Sequence, residues 1–120
     1  GRSVYVTTTR VPVKYGHIAV IHAVLNRNVD VNYVINRLRS FKSLPQEREL
    51  PTAPKEPIKV INRVDAPQPA RDLDPMAVSV GRVAVKDRVL RLVALGDNLV
   101  RGAAGITILT VETMKALNIL

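Results

Sequence analysis

The first 25 residues alternate in polarity and then run apolar, and these two patterns predict two β-strands. Over residues 2–11 successive side chains occupy opposite faces, which is the period-two pattern of a strand. The two faces are Val4, Val6, Thr8 and Tyr5, Thr7, Thr9. Residues 17–25 are nearly all apolar, which predicts a strand buried on both faces or beneath a helix. Pro12 and Gly16 predict a turn between them, because proline fixes φ and glycine permits positive φ.

The middle of the chain predicts one helix and then a long proline-rich segment. Asp30 suits the N-cap position, and apolar residues follow at helical spacing to a predicted end near Phe41. These apolar residues are Val31, Val34, Ile35 and Leu38. Residues 44–75 hold seven of the eight prolines, which predicts stiff, extended loop. One short strand over residues 58–62 is expected to interrupt it.

The C-terminal segment predicts a second helix. Either Asp97 or Asn98 suits its N-cap, and the helix is expected to run to about Leu117. Helical spacing assigns its buried stripe to Leu99, Ala103, Ile106, Thr110, Met114 and Leu117. This amphipathic pattern indicates a helix that packs on one side only.

The order of the elements predicts an α+β fold. Residues 77–85 and 88–95 are both rich in strand-forming residues, and residues 86–87 suit the turn of a hairpin. The predicted order is therefore β-β-α-β-β-β-α, which favours a mostly antiparallel sheet with helices on one face. A length of 120 residues and a hydrophobic share of 47% suit one compact domain with a core.

The net charge and the residue composition argue against several classes of function. The formal net charge is +8, but the basic residues are scattered and only four aromatic residues are present, so binding to nucleic acid is not favoured. The apolar runs are far shorter than the roughly 18–20 residues that a membrane span needs. The sequence contains no cysteine, which excludes a disulfide, a thiolate metal site and a cysteine nucleophile within these residues.

Arg10 and His17 flank the Pro/Gly turn and are the first candidates for chemistry. A turn of this size brings the guanidinium and the imidazole to one rim, where they offer a bidentate carboxylate clamp and a base that titrates near neutral pH. On the residues alone, a surface arginine and a strand-initiating histidine are the simpler interpretation. His22 is expected to be a packed core histidine, and no metal site is predicted because an offset of five places the two imidazoles on opposite strand faces.

Residues 96–105 form the second candidate, since small residues here surround the start of the predicted helix. The amides at a helix N-terminus attract an anion or an amide, and the small side chains permit close approach. Another segment of protein would fill the same space. The glycine spacing does not match a dinucleotide-binding fingerprint.

These two stretches together resemble the C-terminal part of aspartate-semialdehyde dehydrogenases. Residues 10–17 (RVPVKYGH) resemble the family signature, and residues 97–104 (DNLVRGAA) resemble the start of its C-terminal helix. Four further stretches resemble the archaeal and fungal branch: FKSLPQ at 41–46, LPTAP at 50–54, PQP at 67–69 and VGR at 80–82. The likeness runs over nearly the whole sequence.

The resemblance implies a role for three residues. Arg10 would bind the α-carboxylate of aspartate semialdehyde or aspartyl phosphate, His17 would be the catalytic acid/base, and Asn98 would lie beside the nicotinamide carboxamide of NADP. The implied reaction, a step of amino-acid biosynthesis leading to lysine, threonine and methionine, is the reversible reductive dephosphorylation of aspartyl-4-phosphate through a cysteine thioacyl intermediate. The implied partners are this substrate, phosphate, the N-terminal part of the enzyme and a second subunit, in the cytoplasm.

The resemblance also implies that the chain is incomplete. The family's cysteine nucleophile and glycine-rich nucleotide-binding domain are absent, so a fragment, a split subunit or a degenerate form is expected, inactive by itself. Residues 1–96 would be the C-terminal part of the substrate and dimerisation domain, and residues 97–120 a helix packing against the absent nucleotide-binding domain. Two alternatives remain: an acyl-CoA reductase of the malonyl-CoA type, and a non-catalytic module for dimerisation or nucleic-acid binding.

Overall fold

The computed structural model describes residues 3–120 as a four-stranded sheet with helices. The strands are β1 (His17–Val24), β2 (Ile58–Val60), β3 (Val78–Lys86) and β4 (Val89–Gly96). The helices are α1 (Val31–Arg39), α2 (Leu44–Glu47), α3 (Pro69–Asp72) and α4 (Gly105–Ala116), the last preceded by a π-helical turn over Val100–Ala104. None of these helices is both long enough and apolar enough to cross a membrane.

The sheet has the strand order β1-β4-β3-β2 and is mostly antiparallel. Both β1–β4 and β3–β4 are antiparallel pairs, whereas the short β2 runs parallel to β3. Helix α1 packs against β2 and β3. The predicted α+β class with a mostly antiparallel sheet is thus confirmed.

The hairpin between β3 and β4 is confirmed, with its turn one residue later than predicted. Lys86 pairs with Val89, so Asp87 and Arg88 form the two-residue loop. Their φ angles are +49° and +66°, as a turn of type I′ requires at both central positions. The twist of the two strands favours this turn, which sequence spacing alone did not locate.

The predicted first strand is wrong for the residues that the structure describes. Residues 3–11 belong to no strand, and Val4 and Tyr5 are 79% and 93% exposed; Arg2 lies outside the described range. A strand needs a neighbour to pair its backbone N–H and C=O groups, and no strand in residues 3–120 pairs with this segment. The segment therefore has the alternating side chains of a strand but no neighbouring strand in residues 3–120 to pair with.

Strand β1 is confirmed, but its predicted burial is wrong. It lies at the edge of the sheet and pairs with β4 alone. Its apolar side chains are exposed on both faces, for example Val20 at 64% and Ile21 at 40%. The part of the chain that the structure describes contains no layer to cover them. The apolar run therefore predicted the strand correctly but not the burial of its side chains.

Helix α1 follows the sequence prediction closely. Asp30 is its N-cap and accepts a hydrogen bond from Asn32 N at 2.7 Å. The four predicted apolar positions are only partly exposed, while the intervening residues 32, 33, 36 and 37 are exposed. Periodicity and capping are local signals, so they predict this helix without information on the strands that it packs against.

The proline-rich segment is less extended than predicted. Strand β2 ends at Val60 rather than at 62, and the short helices α2 and α3 were not predicted. Both helices have proline in their first turn, where its missing N–H costs nothing. In α2 the side chains of Ser43 and Gln46 also form a capping box.

The C-terminal helix begins later than predicted and buries other residues. Asp97 accepts hydrogen bonds from Leu99 N and Val100 N, but it is not the N-cap that was predicted, because that position is Leu99 for the π-helical turn and Ala104 for α4. The π-helical turn then inserts i→i−5 hydrogen bonds, such as Ala104 N to Leu99 O at 2.9 Å, and shifts the helical phase. Of the predicted stripe, only Ile106 and Met114 are partly buried; the fully buried positions are Gly105 and Leu109.

An ion cluster holds the segment before β3 in place. Arg63 binds Asp72 through two nitrogens, at 3.2 and 2.6 Å, and also donates from Nε to Asp65. The Asp72 side chain is 7% exposed and accepts a further hydrogen bond from Gln68 N at 2.7 Å. The hydrogen bonds from Arg63 hold the pKa of both carboxyls below the usual range.

The depressed pKa of Asp72 predicts a pH-dependent cost for Asp72→Asn. A carboxyl whose pKa is lower in the folded than in the unfolded protein stabilises the fold at pH values above its ordinary value of 3.8, and that stabilisation is lost as the pH falls through the folded-state pKa. The melting temperature of the complete protein should therefore drop in the variant at about pH 7, and the difference from wild type should shrink below about pH 4. Asp87→Asn, at an exposed turn, is the control; an equal difference at both pH values would contradict the prediction.

Candidate functional site

His17 lies at the first position of β1, where the ladder with β4 ends. It stands opposite Gly96, the last residue of β4, and its side chain is exposed. The imidazole is thus presented at one end of the sheet, beside the start of the C-terminal helical segment.

Gly16 connects the turn to β1 and has no room for a side chain. Its φ is +99°, in the region that favours glycine. A Cβ here would meet Leu95 Cδ1 at 3.0 Å and Leu73 Cδ1 at 3.3 Å, and the Leu95 side chain is fully buried. The residue before His17 is therefore buried and fixed, although His17 itself is exposed.

Asn98 contacts this connection directly. Its Oδ1 accepts a hydrogen bond from Gly16 N at 2.8 Å, across 82 positions of sequence. The side chain is partly buried, and within residues 3–120 its Nδ2 makes no hydrogen bond. The two stretches singled out from the sequence, 10–17 and 97–104, thus meet in space, with two amide hydrogens available beside them.

Arg10 is placed in the exposed irregular segment before the turn. None of the hydrogen bonds and ion pairs in the described residues joins it to His17 or Asn98. Later in the same irregular segment, the Lys14 ammonium lies 5.4 Å from the centre of the Tyr15 ring. The expected approach of Arg10 to His17 remains a prediction.

His22 is not the packed core histidine that the sequence indicated. It lies opposite Arg91 on β1, is exposed, and lines an open groove of about 630 Å³. The prediction failed because β1 is an edge strand with uncovered faces. Within residues 3–120 no three His, Asp or Glu side chains are grouped as metal ligands.

Two contacts that matter here were missed by sequence reasoning. The Gly16–Asn98 hydrogen bond was not predicted, although both residues had been singled out for other reasons. Glu112 of α4 accepts hydrogen bonds from Thr52 N at 3.0 Å and Thr52 Oγ1 at 2.7 Å, which ties the proline-rich segment to α4. Neither pair leaves a local signal in the sequence, because each depends on the tertiary fold.

The chain matches the family described as the semialdehyde dehydrogenase dimerisation domain over residues 1–101. It is similar to the aspartate-semialdehyde dehydrogenases of Methanothermobacter thermautotrophicus (39% identity over 112 residues, 88% of this chain and 32% of the relative) and Aspergillus fumigatus (39% over 121 residues, 93% and 33%). It is also similar to the malonyl-CoA reductase (NADP) of Metallosphaera sedula, at 40% identity over 114 residues, 90% of this chain and 32% of that relative.

Solved structures have the same fold. Aspartate-semialdehyde dehydrogenase of Candida albicans, determined with NADP, superimposes with a TM-score of 0.77 at 32% identity, covering 88% of this chain and 31% of that one. Aspartate-semialdehyde dehydrogenase II of Vibrio cholerae, in complex with ASA, gives a TM-score of 0.70 at 24% identity, covering 88% and 29%.

The chain spans about a third of the length of the curated relatives it matches. The match nevertheless covers most of this chain, and the resemblance to aspartate-semialdehyde dehydrogenases stated from the motifs is confirmed. The protein belongs to the semialdehyde dehydrogenase dimerisation-domain family.

Proposed function

We propose that this chain is the C-terminal, dimerisation-domain portion of an NADP-dependent aspartate-semialdehyde dehydrogenase. The complete enzyme reduces aspartyl-4-phosphate with NADPH and releases aspartate semialdehyde and phosphate, reversibly. The observation that carries the proposal is the 2.8 Å hydrogen bond from Gly16 N to Asn98 Oδ1. It joins the two stretches whose sequences resemble the family's signature and helix start. Relatives 39% identical over most of this chain support it.

His17 and Arg10 supply the chemistry that this chain contributes. The His17 imidazole acts as general base toward a thiol and returns the proton during turnover, which requires that the two groups come within hydrogen-bond reach. The Arg10 guanidinium binds the α-carboxylate of the substrate through two parallel hydrogen bonds. The thiol comes from outside these residues, since the sequence contains no cysteine.

Asn98 is suited to contact the nicotinamide of NADP, which supplies the hydride when bound. The Asn98 oxygen is already engaged by Gly16 N, so its Nδ2 hydrogens remain for the oxygen of a carboxamide. The rest of the dinucleotide requires residues outside this chain, because no glycine-rich phosphate-binding fingerprint is present in the sequence.

The two parts of the chain have different tasks under this proposal. Residues 1–96 belong to the substrate and dimerisation domain, through which the enzyme self-associates. Residues 97–120 pack against a nucleotide-binding domain outside this chain. Exposed apolar side chains on α4 and after it support this packing, including Ile108 at 54%, Val111 at 51% and Ile119 at 62%. The proposed location is the cytoplasm, where amino-acid biosynthesis of this kind proceeds.

A second candidate is reduction of malonyl-CoA. The malonyl-CoA reductase of Metallosphaera sedula is as similar to this chain as the aspartate-semialdehyde dehydrogenases are, at 40% identity. Both substrates present a carboxylate and an activated acyl group, so Arg10 and His17 suit either. Other parts of the protein must therefore distinguish a phosphate leaving group from a coenzyme A leaving group.

Oxidation of NADPH by the complete protein distinguishes the two. With aspartyl-4-phosphate and malonyl-CoA offered separately, we expect kcat/KM for aspartyl-4-phosphate to be higher by at least about 100-fold, as for a site that hydrogen-bonds its true substrate. A preference for malonyl-CoA would assign the second candidate. Absence of NADPH oxidation with both substrates would contradict the proposal.

A further inference from the structure

We propose that Asn98 is a positioning residue for His17, acting through the backbone of Gly16, in addition to any contact with the cofactor. This inference rests on the proposed function and deepens it. The Asn98 side-chain oxygen positions His17 through Gly16 N, and the side-chain nitrogen remains for the cofactor. One amide group therefore serves two purposes.

The geometry around His17 shows why its position needs support. His17 occupies the last rung of the β1–β4 ladder, opposite Gly96, so strand pairing holds the chain only on its C-terminal side. On the N-terminal side the chain enters an irregular, exposed segment. The hydrogen bond from Gly16 N to Asn98 Oδ1, at 2.8 Å, holds this side.

Asn98 is itself held firmly enough to act as an anchor. It lies two residues after the end of β4, and its neighbour Asp97 accepts hydrogen bonds from Leu99 N and Val100 N. Asp97 O further accepts from Gly102 N at 2.9 Å in the π-helical turn. An anchor fixed on both sides transmits its position to the residue that it binds.

The atom that accepts from Gly16 is settled by hydrogen-bond chemistry. A backbone N–H only donates, so the Asn98 atom that faces it must be the carbonyl oxygen. The Nδ2 group therefore points elsewhere. This separation of roles means that aspartate, which keeps the oxygen and loses the donors, tests positioning apart from ligand contact.

Gly16 adds a second constraint on the same connection. Its φ of +99° and its packing against Leu95 and Leu73 leave one arrangement for the chain before His17. Since the residue is buried, its N–H has no access to bulk water and depends on Asn98 for a partner. Loss of the Asn98 oxygen leaves that N–H unpaired, and the chain must shift to reach water.

The test uses the complete protein with Asn98→Leu and Asn98→Asp. Asn98→Leu removes both the acceptor and the donors at similar volume, whereas Asn98→Asp keeps the acceptor. Should Asn98→Leu fail to fold, Asn98→Ala replaces it. Asn28→Ala, in the exposed loop before α1, is the matched control, and it is expected to leave all measurements unchanged.

The first measurement is the single-turnover rate of NADPH oxidation at saturating substrate and cofactor. We expect Asn98→Leu to lower this rate by about 10–100-fold, the effect of a small displacement of a reacting group. Asn98→Asp should return it to within a few-fold of wild type, while the KM for NADPH rises in both variants. A rate as low in Asn98→Asp as in Asn98→Leu would overturn the inference, since only the donors would then matter.

The second measurement does not require turnover. In protein labelled with ¹³C at the histidine Cε1, the His17 signal is identified by its loss in His17→Ala. We expect its chemical shift to move in Asn98→Leu and to match wild type in Asn98→Asp. An unmoved signal in Asn98→Leu would overturn the positioning role. If wild type oxidises NADPH with neither substrate but the signal moves as expected, the proposed function fails and the positioning stands.

Discussion

Replacing His17 by alanine in the complete protein is expected to lower kcat by about 10²–10⁴, the usual contribution of a positioned general base. His17 is exposed at the end of β1, and the residue before it, Gly16, is hydrogen-bonded to Asn98, so under the proposed function the imidazole is open to a thiol brought to it. Alanine removes the proton acceptor and leaves the strand pairing intact. The KM values should change far less than kcat, since the proposed function gives binding of the carboxylate to Arg10.

His22→Ala is the matched control for this prediction. His22 belongs to the same strand, is also exposed, and lines the open groove rather than the Gly16–Asn98 connection. Steady-state oxidation of NADPH with aspartyl-4-phosphate should be close to wild type in this variant. Wild-type turnover in His17→Ala, or an equal loss in both variants, would remove His17 from the role of acid/base.

The second large effect is expected on stability, from Gly81→Ala in β3. A Cβ at this position would lie 2.5 Å from Ala66 O and 2.9 Å from Ala66 C, which are backbone atoms that no rotamer change can displace. The strand and the segment at Ala66 must therefore separate. We expect a loss of about 1–3 kcal/mol or more in the free energy of unfolding, the usual cost of overpacking an interior.

Thermal unfolding of the complete protein measures this loss, with Gly96→Ala as control. Gly96 lies at the end of the adjacent strand β4, and a Cβ there meets no atom within 4 Å. Gly96→Ala should therefore change stability by no more than about 0.5 kcal/mol. Equal melting temperatures for the two variants would show that the close approach of β3 to Ala66 does not constrain the fold.

The elements that sequence reasoning located are those with local signals. Helix α1 is predicted by the cap at Asp30 and by apolar residues at helical spacing. Both signals lie within one or two helical turns of sequence. The hairpin follows from two strand-forming runs joined by two residues. The π-helical turn before α4 left no such signal, and it displaced the buried stripe from Leu99 and Leu117 to Gly105 and Leu109.

The errors in burial have one physical origin. Two patterns, the alternation over residues 2–11 and the apolar run of β1, predict surfaces that pack against another layer of protein. A sequence pattern does not say whether that layer belongs to the same chain. Within residues 3–120 it is absent, and Val20 and His22 are consequently exposed. The same omission made His22 resemble a core residue.

The candidate site was predicted in part for a similar reason. Residue types alone offered a surface arginine and a strand-initiating histidine, and the family resemblance supplied their proposed roles. The structure adds the contact between Gly16 and Asn98, which no pattern at a separation of 82 residues could indicate. For Arg10, whose partners under the proposed function are a substrate and other parts of the protein, the described residues provide no contact.

Under the proposed function, the exposure of β1 makes the acid/base role of His17 depend on assembly. Within residues 3–120 no layer covers either face of the strand that begins at His17, so the amount of water around the imidazole is set by whatever covers the strand. If that cover includes a second subunit, dilution below the dissociation constant removes activity while each subunit stays folded. Activity then rises more steeply than in proportion to protein concentration, and the amount of enzyme in a cell becomes a control on the rate of each molecule.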